Sequence, residues 1–160
     1  MDKSTSLSLE KIDLIVYDFD GVMTDNRVLI LEDGTEGVFV NRADGLAVKL
    51  FKEAGVTQII ISTEANPVVE ARAKKISIPI LYKVDDKYKT LKCYCMKNGY
   101  KLDRVLYVGN DINDLEAMQA VGFPITPADA HPSVKQIAAV VLNKSGGCGV
   151  IRELADLILS

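Results

Sequence analysis

Two carboxylates two residues apart, Asp18 and Asp20 in Asp18-Phe19-Asp20-Gly21-Val22-Met23-Thr24, leave the apolar run Ile12-Asp13-Leu14-Ile15-Val16-Tyr17. Like charges crowded at the end of a buried strand are costly unless a cation holds them. Mg²⁺ suits that task, because it takes hard oxygen ligands and keeps positions open for water and a phosphate. Aspartate is also a competent nucleophile toward phosphoryl groups, forming an aspartyl-phosphate that water then hydrolyses. The pair therefore points to phosphoryl transfer, against the plainer alternative of a solvated strand end with a turn at Gly21. Three further clusters weigh against that alternative. Ser62-Thr63-Glu64 ends a second apolar run just before Asn66-Pro67, where a hydroxyl beside a helix N-terminus can bind a phosphate oxygen. Lys87 opens a helix, although the helix dipole favours acids in the first turn, and that local inconsistency flags a functional role. Gly109-Asn110-Asp111-Ile112-Asn113-Asp114 follows the strand Val105–Val108, and its acids, which could be caps alone, complete a set of strand ends meeting at one sheet edge.

The elements that must position these residues alternate. Short apolar runs at Ile12–Tyr17, Gln58–Ser62, Pro79–Lys83, Val105–Val108, Phe123–Ile125 and Ala139–Leu142 read as strands. Between and after them, helices are predicted over Leu46–Ala54 (ended by Gly55), Pro67–Lys75 (capped by Asn66), Lys87–Asn98 (closed by Gly99), Ile112–Ala120 and Val150–Leu159. Buried strands separated by helices imply an α/β fold, a three-layer Rossmann-like parallel sheet with helices on both faces. One segment departs from the alternation. Arg27–Val40 holds two β-prone runs around Asp33-Gly34, a hairpin signal, and its place after the first strand makes it a flap over the carboxyl ends of the sheet, where ligands of such folds bind. Its apolar Val28, Ile30, Val38 and Val40 need cover from the domain or from a second subunit.

A chain of 160 residues is expected to form a single domain, 1–160, with a proper core. The net charge of −3 and the absence of a Lys/Arg run argue against nucleic-acid or anionic-membrane partners. Met1–Glu10 is polar and fits neither a signal peptide nor an anchor, and no apolar stretch approaches a membrane span. Three cysteines, Cys93, Cys95 and Cys148, fit reduced thiols in a cytoplasm.

With D-F-D-G-V-M-T-D, the Ser after the second strand, the Lys opening a helix and G-N-D-I-N-D, the chain resembles the haloacid dehalogenase superfamily of phosphatases. N-R-A-D-G-L-A-V-K-L-F at 41–51, E-A-R-A-K-K at 70–75 and G-G-C-G-V-I-R-E at 146–153 resemble its small-cap branch. That branch holds 3-deoxy-D-manno-octulosonate 8-phosphate phosphatases, nine-carbon (sialic-type) sugar acid 9-phosphate phosphatases, and a phosphatase-like domain of some sialic acid cytidylyltransferases. The resemblance implies Asp18 as nucleophile and Asp20 as acid and then base. It implies Mg²⁺ bound by the Asp18 and Asp111 side chains and the Asp20 carbonyl, and Ser62 and Lys87 stabilising the transferring phosphoryl. Asp114 then orients Lys87 or a metal-bound water, with Asn110 supporting. It also implies a homo-oligomer, a tetramer in which the hairpin and a neighbouring subunit close the site.

Octulosonate phosphatases commonly carry Gly-Arg after the second-motif hydroxyl, where this chain has Thr63-Glu64. Glu64 with Arg72 and Lys75 resembles the nine-carbon arrangement, in which a carboxylate and two cations would bind an anionic, hydroxyl-rich substrate. A solvated helix face is the competing reading for Arg72 and Lys75. The expected activity is hydrolysis of a nonulosonate 9-phosphate, with the octulosonate 8-phosphate as the alternative. A non-catalytic oligomerisation module is disfavoured by the intact charge cluster. A phospho-accepting receiver domain is disfavoured because the second strand ends in Ser62. His131 reads as a surface-loop residue, and Gly146-Gly147 as permissive backbone before the last helix.

Overall fold

The computed structural model describes residues 7–160. Residues 1–6, most of the polar N-terminal stretch, lie outside the described residues. Six parallel strands form the central sheet: β1 (Leu14–Tyr17), β4 (Thr57–Ile61), β5 (Ile80–Leu81), β6 (Val105–Val108), β7 (Phe123–Thr126) and β8 (Val140–Val141). Their spatial order is β5-β4-β1-β6-β7-β8. The pleat sorts the side chains of β1 by alternation. Ile15 and Tyr17 face one core, built with α1 (Arg42–Glu53), α2 (Pro67–Ile76) and α6 (Val150–Leu159). Leu14 and Val16 face the other, built with α3 (Lys87–Asn98), α4 (Leu115–Ala120) and α5 (Pro132–Ile137). The expected three layers are therefore present. Residues such as Phe51 and Leu91 are wholly buried, each worth roughly 1.5–3 kcal/mol of apolar transfer. Strand order reverses about β1, with β4 on one side and β6 on the other. The loops after β1, β4 and β6 thus meet in the crevice where open α/β sheets bind ligands.

Several boundaries differ from the sequence reading for local reasons. α1 starts at Arg42, ahead of its apolar face, because the Asn41 side chain accepts from Ala43 N and caps it. The helix read over Ile112–Ala120 begins as a 3₁₀ turn, Ile112–Asp114, locked by a reciprocal cap between Asp111 and Asp114. α5 was not anticipated. It is six residues long, with His131 as its cap and Pro132 at its first position, and so short a helix carries little periodic signal. The hairpin is present but pairs over only β2 (Leu29–Ile30) and β3 (Glu36–Gly37), with Leu29 opposite Gly37 and Ile30 opposite Glu36. Val38 packs partly on the core. Val28, Leu29, Ile30, Leu31 and Phe39 are exposed.

Candidate active site

Asp18 follows β1 directly, its N–H donating to Val108 O of β6, and its side chain is buried. Its Oδ1 accepts from Phe19 N (2.7 Å) and pairs with Lys87 Nζ (2.8 Å). Lys87 is the first residue of α3, where Asp86 caps the helix, and it is only 3 % exposed. Its ammonium also bonds Asp114 Oδ1 (2.8 Å). Burial alone would lower the Lys87 pKa, but the charges of Asp18 and Asp114 outweigh it and leave it raised. The misplaced lysine of the helix start is thus the shared cation of two buried acids. Such a group is costly to bury and costlier to break, because each member then leaves an uncompensated charge.

Asp114 is fully buried and fully occupied. Its Oδ1 accepts from Tyr107 Oη (2.9 Å) as well as Lys87, and its Oδ2 from Asn110 N (3.0 Å) and Asp111 N (3.3 Å). Tyr107, on β6, was missed by sequence reasoning, since a tyrosine in an apolar strand gives no sign that its hydroxyl meets a carboxylate. Thr126 at the end of β7 was missed likewise. Its hydroxyl donates to Gly109 O (2.7 Å), while His131 N donates to Asn110 O (2.8 Å). His131 therefore steadies the Asn110 backbone and accepts from Ser133 N through Nδ1.

The residue that meets the first two acids from the third strand end is Asn110, not Asp111. In the orientation that satisfies both neighbours, the Asn110 amide donates to Asp18 Oδ2 (3.0 Å) and to the Asp20 carbonyl (2.9 Å). Turned over, it presents Oδ1 to the same point, so that three oxygens converge as around a hard cation. Gly21 makes room for this: its φ is +79°, and a Cβ there would lie 1.9 Å from the outer end of the Asn110 amide group. Asp111, expected as the side-chain ligand, instead turns Oδ1 to Ile112 N (2.7 Å), because its position at the head of the 3₁₀ turn makes it the cap. Burial and the charge of Asp114 push the Asp18 carboxyl well above the usual range, with Lys87 opposing. A cation at the convergence point would add to Lys87 in favouring the charged carboxylate. The donor set of two carbonyl-type oxygens and a carboxylate fits Mg²⁺.

Asp20 is half-buried. Its pKa is raised by burial and by Glu64, opposed by Lys87, and raised further by Glu36 of the hairpin. Ser62 is buried at the end of β4, where its Oγ accepts from Glu64 N (3.1 Å), leaving the hydroxyl proton free to donate. Glu64 accepts from Ala65 N and Asn66 N through Oε1. The structure thus gathers Asp18, Asp20, Ser62, Lys87, Asn110 and Asp114, with Glu64 at the rim. It does not bring Arg72 and Lys75 to that mouth. They line a groove of about 470 Å³ between α1 and α2, with Arg42, Lys49 and Lys52. The Arg72 guanidinium bonds Asn41 O (3.0 Å), so its reach runs across α2 to α1 and not along the strand ends.

Residues 46–154 match the model of the haloacid dehalogenase-like hydrolase family. The 3-deoxy-D-manno-octulosonate 8-phosphate phosphatase KdsC of Salmonella typhi is 31% identical over 151 residues, covering 94% of this chain and 80% of that protein. A HAD-family chain from Streptomyces avermitilis superposes with a TM-score of 0.93 at 49% identity, covering 95% of this chain and 87% of its own. The 3-deoxy-D-manno-octulosonate 8-phosphate phosphatase of Moraxella catarrhalis, solved with magnesium, phosphate and KDO, superposes with a TM-score of 0.90 at 31% identity over 93% of this chain and 86% of its own. The chain belongs to the haloacid dehalogenase superfamily, in the branch of the octulosonate phosphatases, and is a phosphoric monoester hydrolase.

Proposed function

We propose that this chain hydrolyses the phosphate ester of a keto-deoxy sugar acid, with Mg²⁺ as cofactor. The observation that carries the reading is the buried Asp18–Lys87–Asp114 network with the Asn110 amide against Asp18 Oδ2 and Asp20 O. The metal would be held by the Asp18 carboxylate, the Asp20 carbonyl and Asn110, and when bound it neutralises charge on the phosphoryl oxygens. Asp18 attacks phosphorus through its carboxylate, whose other oxygen is fixed by Lys87 and Phe19 N. Asp20, its pKa raised, gives its proton to the departing alkoxide as the ester P–O bond breaks. As carboxylate it then takes a proton from the water that cleaves the aspartyl-phosphate, and phosphate leaves. Ser62 donates its hydroxyl, and Lys87 its third N–H, to the phosphoryl oxygens. Asp114 holds Lys87 in place.

Glu64 supports a nine-carbon sugar acid 9-phosphate as the substrate. It sits where its charge acts on Asp20, so it lies at the mouth, and a carboxylate there accepts from sugar hydroxyls or an amide and disfavours a substrate carboxylate at that point. The octulosonate 8-phosphate is the second reading, favoured by what the relatives named above act on. A homo-oligomer, a tetramer, is part of the proposal, since the hairpin's apolar face is exposed. Free cysteines fit a cytoplasmic location, and no helix among the described residues is long and apolar enough to cross a membrane.

Turnover of the two sugar acid phosphates, with and without Mg²⁺, tests this reading. Hydrolysis is expected to require Mg²⁺, to fall by about 10³-fold or more in Asp18→Asn, and to favour the nine-carbon ester until Glu64→Arg erodes the preference. Activity of Asp18→Asn within a few-fold of wild type overturns the mechanism. A wild-type preference for the eight-carbon ester overturns the Glu64 argument alone.

A further inference from the structure

Behind the active site, where α1, α2 and the start of α6 meet, two buried side-chain atoms lack a hydrogen-bond partner among the described residues: Asp44 Oδ2 and Arg72 Nε. Asp44 lies in the first turn of α1 and is 3 % exposed. Its Oδ1 accepts from Ile151 N (3.0 Å) and Arg152 N (3.1 Å), so it caps α6 from another element. The cap residue of α6 itself is Gly149, which has φ +99° and no side chain to offer. A side-chain cap at that position would need an L residue in a left-handed conformation that glycine alone adopts without strain, so the capping oxygen comes from elsewhere. The distant carboxylate does something a local cap cannot, because it ties α6 and the loop before it to α1.

That loop, Ser145–Gly149, lies on the turn that follows Asp20. A Cβ on Gly146 would sit 2.2 Å from Gly21 O and 2.8 Å from Thr24 O, and Gly147 N donates to Val22 O (3.1 Å). From the other side, Asn41 Nδ2 reaches Gly147 O (3.4 Å), and Arg72 Nη2 holds Asn41 O (3.0 Å). The turn supported in this way begins at Gly21, which lies against the Asn110 amide, itself in contact with the Asp20 carbonyl.

We propose that Asp44 is a positioning residue: by capping α6 from α1 it seats the glycine loop 145–149 on the Gly21–Thr24 turn and so fixes Asp20 and Asn110 relative to Asp18. The catalytic part of this proposal rests on the phosphatase mechanism above. The energetic signature is consistent with it, since burial raises the Asp44 carboxyl to about 6, with the two N–H groups and Arg72 opposing. The fold tolerates this cost at a site that touches no reacting atom.

Amide hydrogen exchange and steady-state kinetics on an aryl phosphate ester with Mg²⁺, in Asp44→Ala and Asp44→Asn, test the proposal. Exchange is expected to quicken in Asp44→Ala over both 146–152 and 19–25. The kcat should fall about 10- to 10²-fold, the scale of a misplaced reacting group, with KM changed less than about twofold and with Asp44→Asn intermediate. Loosening confined to α6, with 19–25 and kcat as in the wild type, overturns it and leaves Asp44 a simple helix cap. Gly146→Ala strikes the same contact from the loop side and serves if Asp44→Ala does not fold. Combined with Asp44→Asn, it should cost little more than the larger single change, and additive losses in kcat overturn the shared route. If the wild type hydrolyses no phosphate ester, the phosphatase mechanism fails, and the exchange pattern alone still decides whether Asp44 controls the turn.

Discussion

The acid cluster and the hairpin sit at the same edge of the sheet and solve opposite problems. In the cluster, charged groups are buried and nearly every one is answered within the chain: Lys87 lies between Asp18 and Asp114, and Asp114 accepts from four donors. In the hairpin, apolar groups are exposed, with Ile30 at 68% and Phe39 at 73%, and the described residues leave them uncovered. One region pairs its buried charges within a single copy. The other leaves an apolar face for which a second copy is the proposed cover. Catalytic geometry thus rests on polar groups satisfied inside the subunit, while access to the site is left to a flap that assembly is expected to set.

Breaking the cluster at its proton-transfer group should have the largest effect. Asp20→Asn is expected to slow turnover by about 10²–10⁴-fold, while Mg²⁺ binding measured by calorimetry stays, since the proposed ligand is the backbone carbonyl. Lost metal affinity with unaffected chemistry would reverse that assignment. Next, Lys87→Met should cost about 3–5 kcal/mol in urea unfolding by leaving Asp18 and Asp114 buried without their cation. Adding Asp18→Asn should return part of it, and a Lys87→Met protein as stable as wild type would show the network to be unimportant to the fold.

A sharper division lies between Asn110 and Asp111. Asn110→Ala should weaken Mg²⁺ about 10- to 100-fold, and Asp111→Asn should weaken it less. The reverse order restores Asp111 as ligand. The smallest change is expected from the hairpin. Ile30→Ser should weaken subunit association by about 1–2 kcal/mol, the range of a single interface anchor, read by sedimentation across a dilution series. A wild-type monomer at micromolar concentration with full activity removes the need for a second copy.

The main strands and helices were legible because their signals are local. Lys87–Asn98, Val105–Val108 and Val150–Leu159 have the limits read from apolar spacing and from the Gly99 stop. α5 escaped because six residues show no period, and α1 was started late because its first turn is polar. At the site, Asp18, Asp20, Ser62 and Lys87 could be singled out by type and spacing. Which oxygen of the G-N-D-I-N-D loop faces Asp18 could not, since neighbouring residues in a tight turn point in opposite directions and hydrogen bonding to the 3₁₀ turn chose between them. Arg72 and Lys75 lie close to Glu64 in sequence, yet the helix carries them to the groove against α1.

By itself, then, the amino-acid order determined the alternating elements, the acids and hydroxyl at the strand ends, and the class of chemistry, all of which depend on short-range periodicity and residue type. The tertiary structure alone decided the partners of those groups. Tyr107 on Asp114, Asn110 on Asp18, and Asp44 capping a helix more than a hundred residues away are contacts between distant segments. They exist because strand order reverses at β1 and brings the ends of β1, β4 and β6 together, which no local pattern encodes.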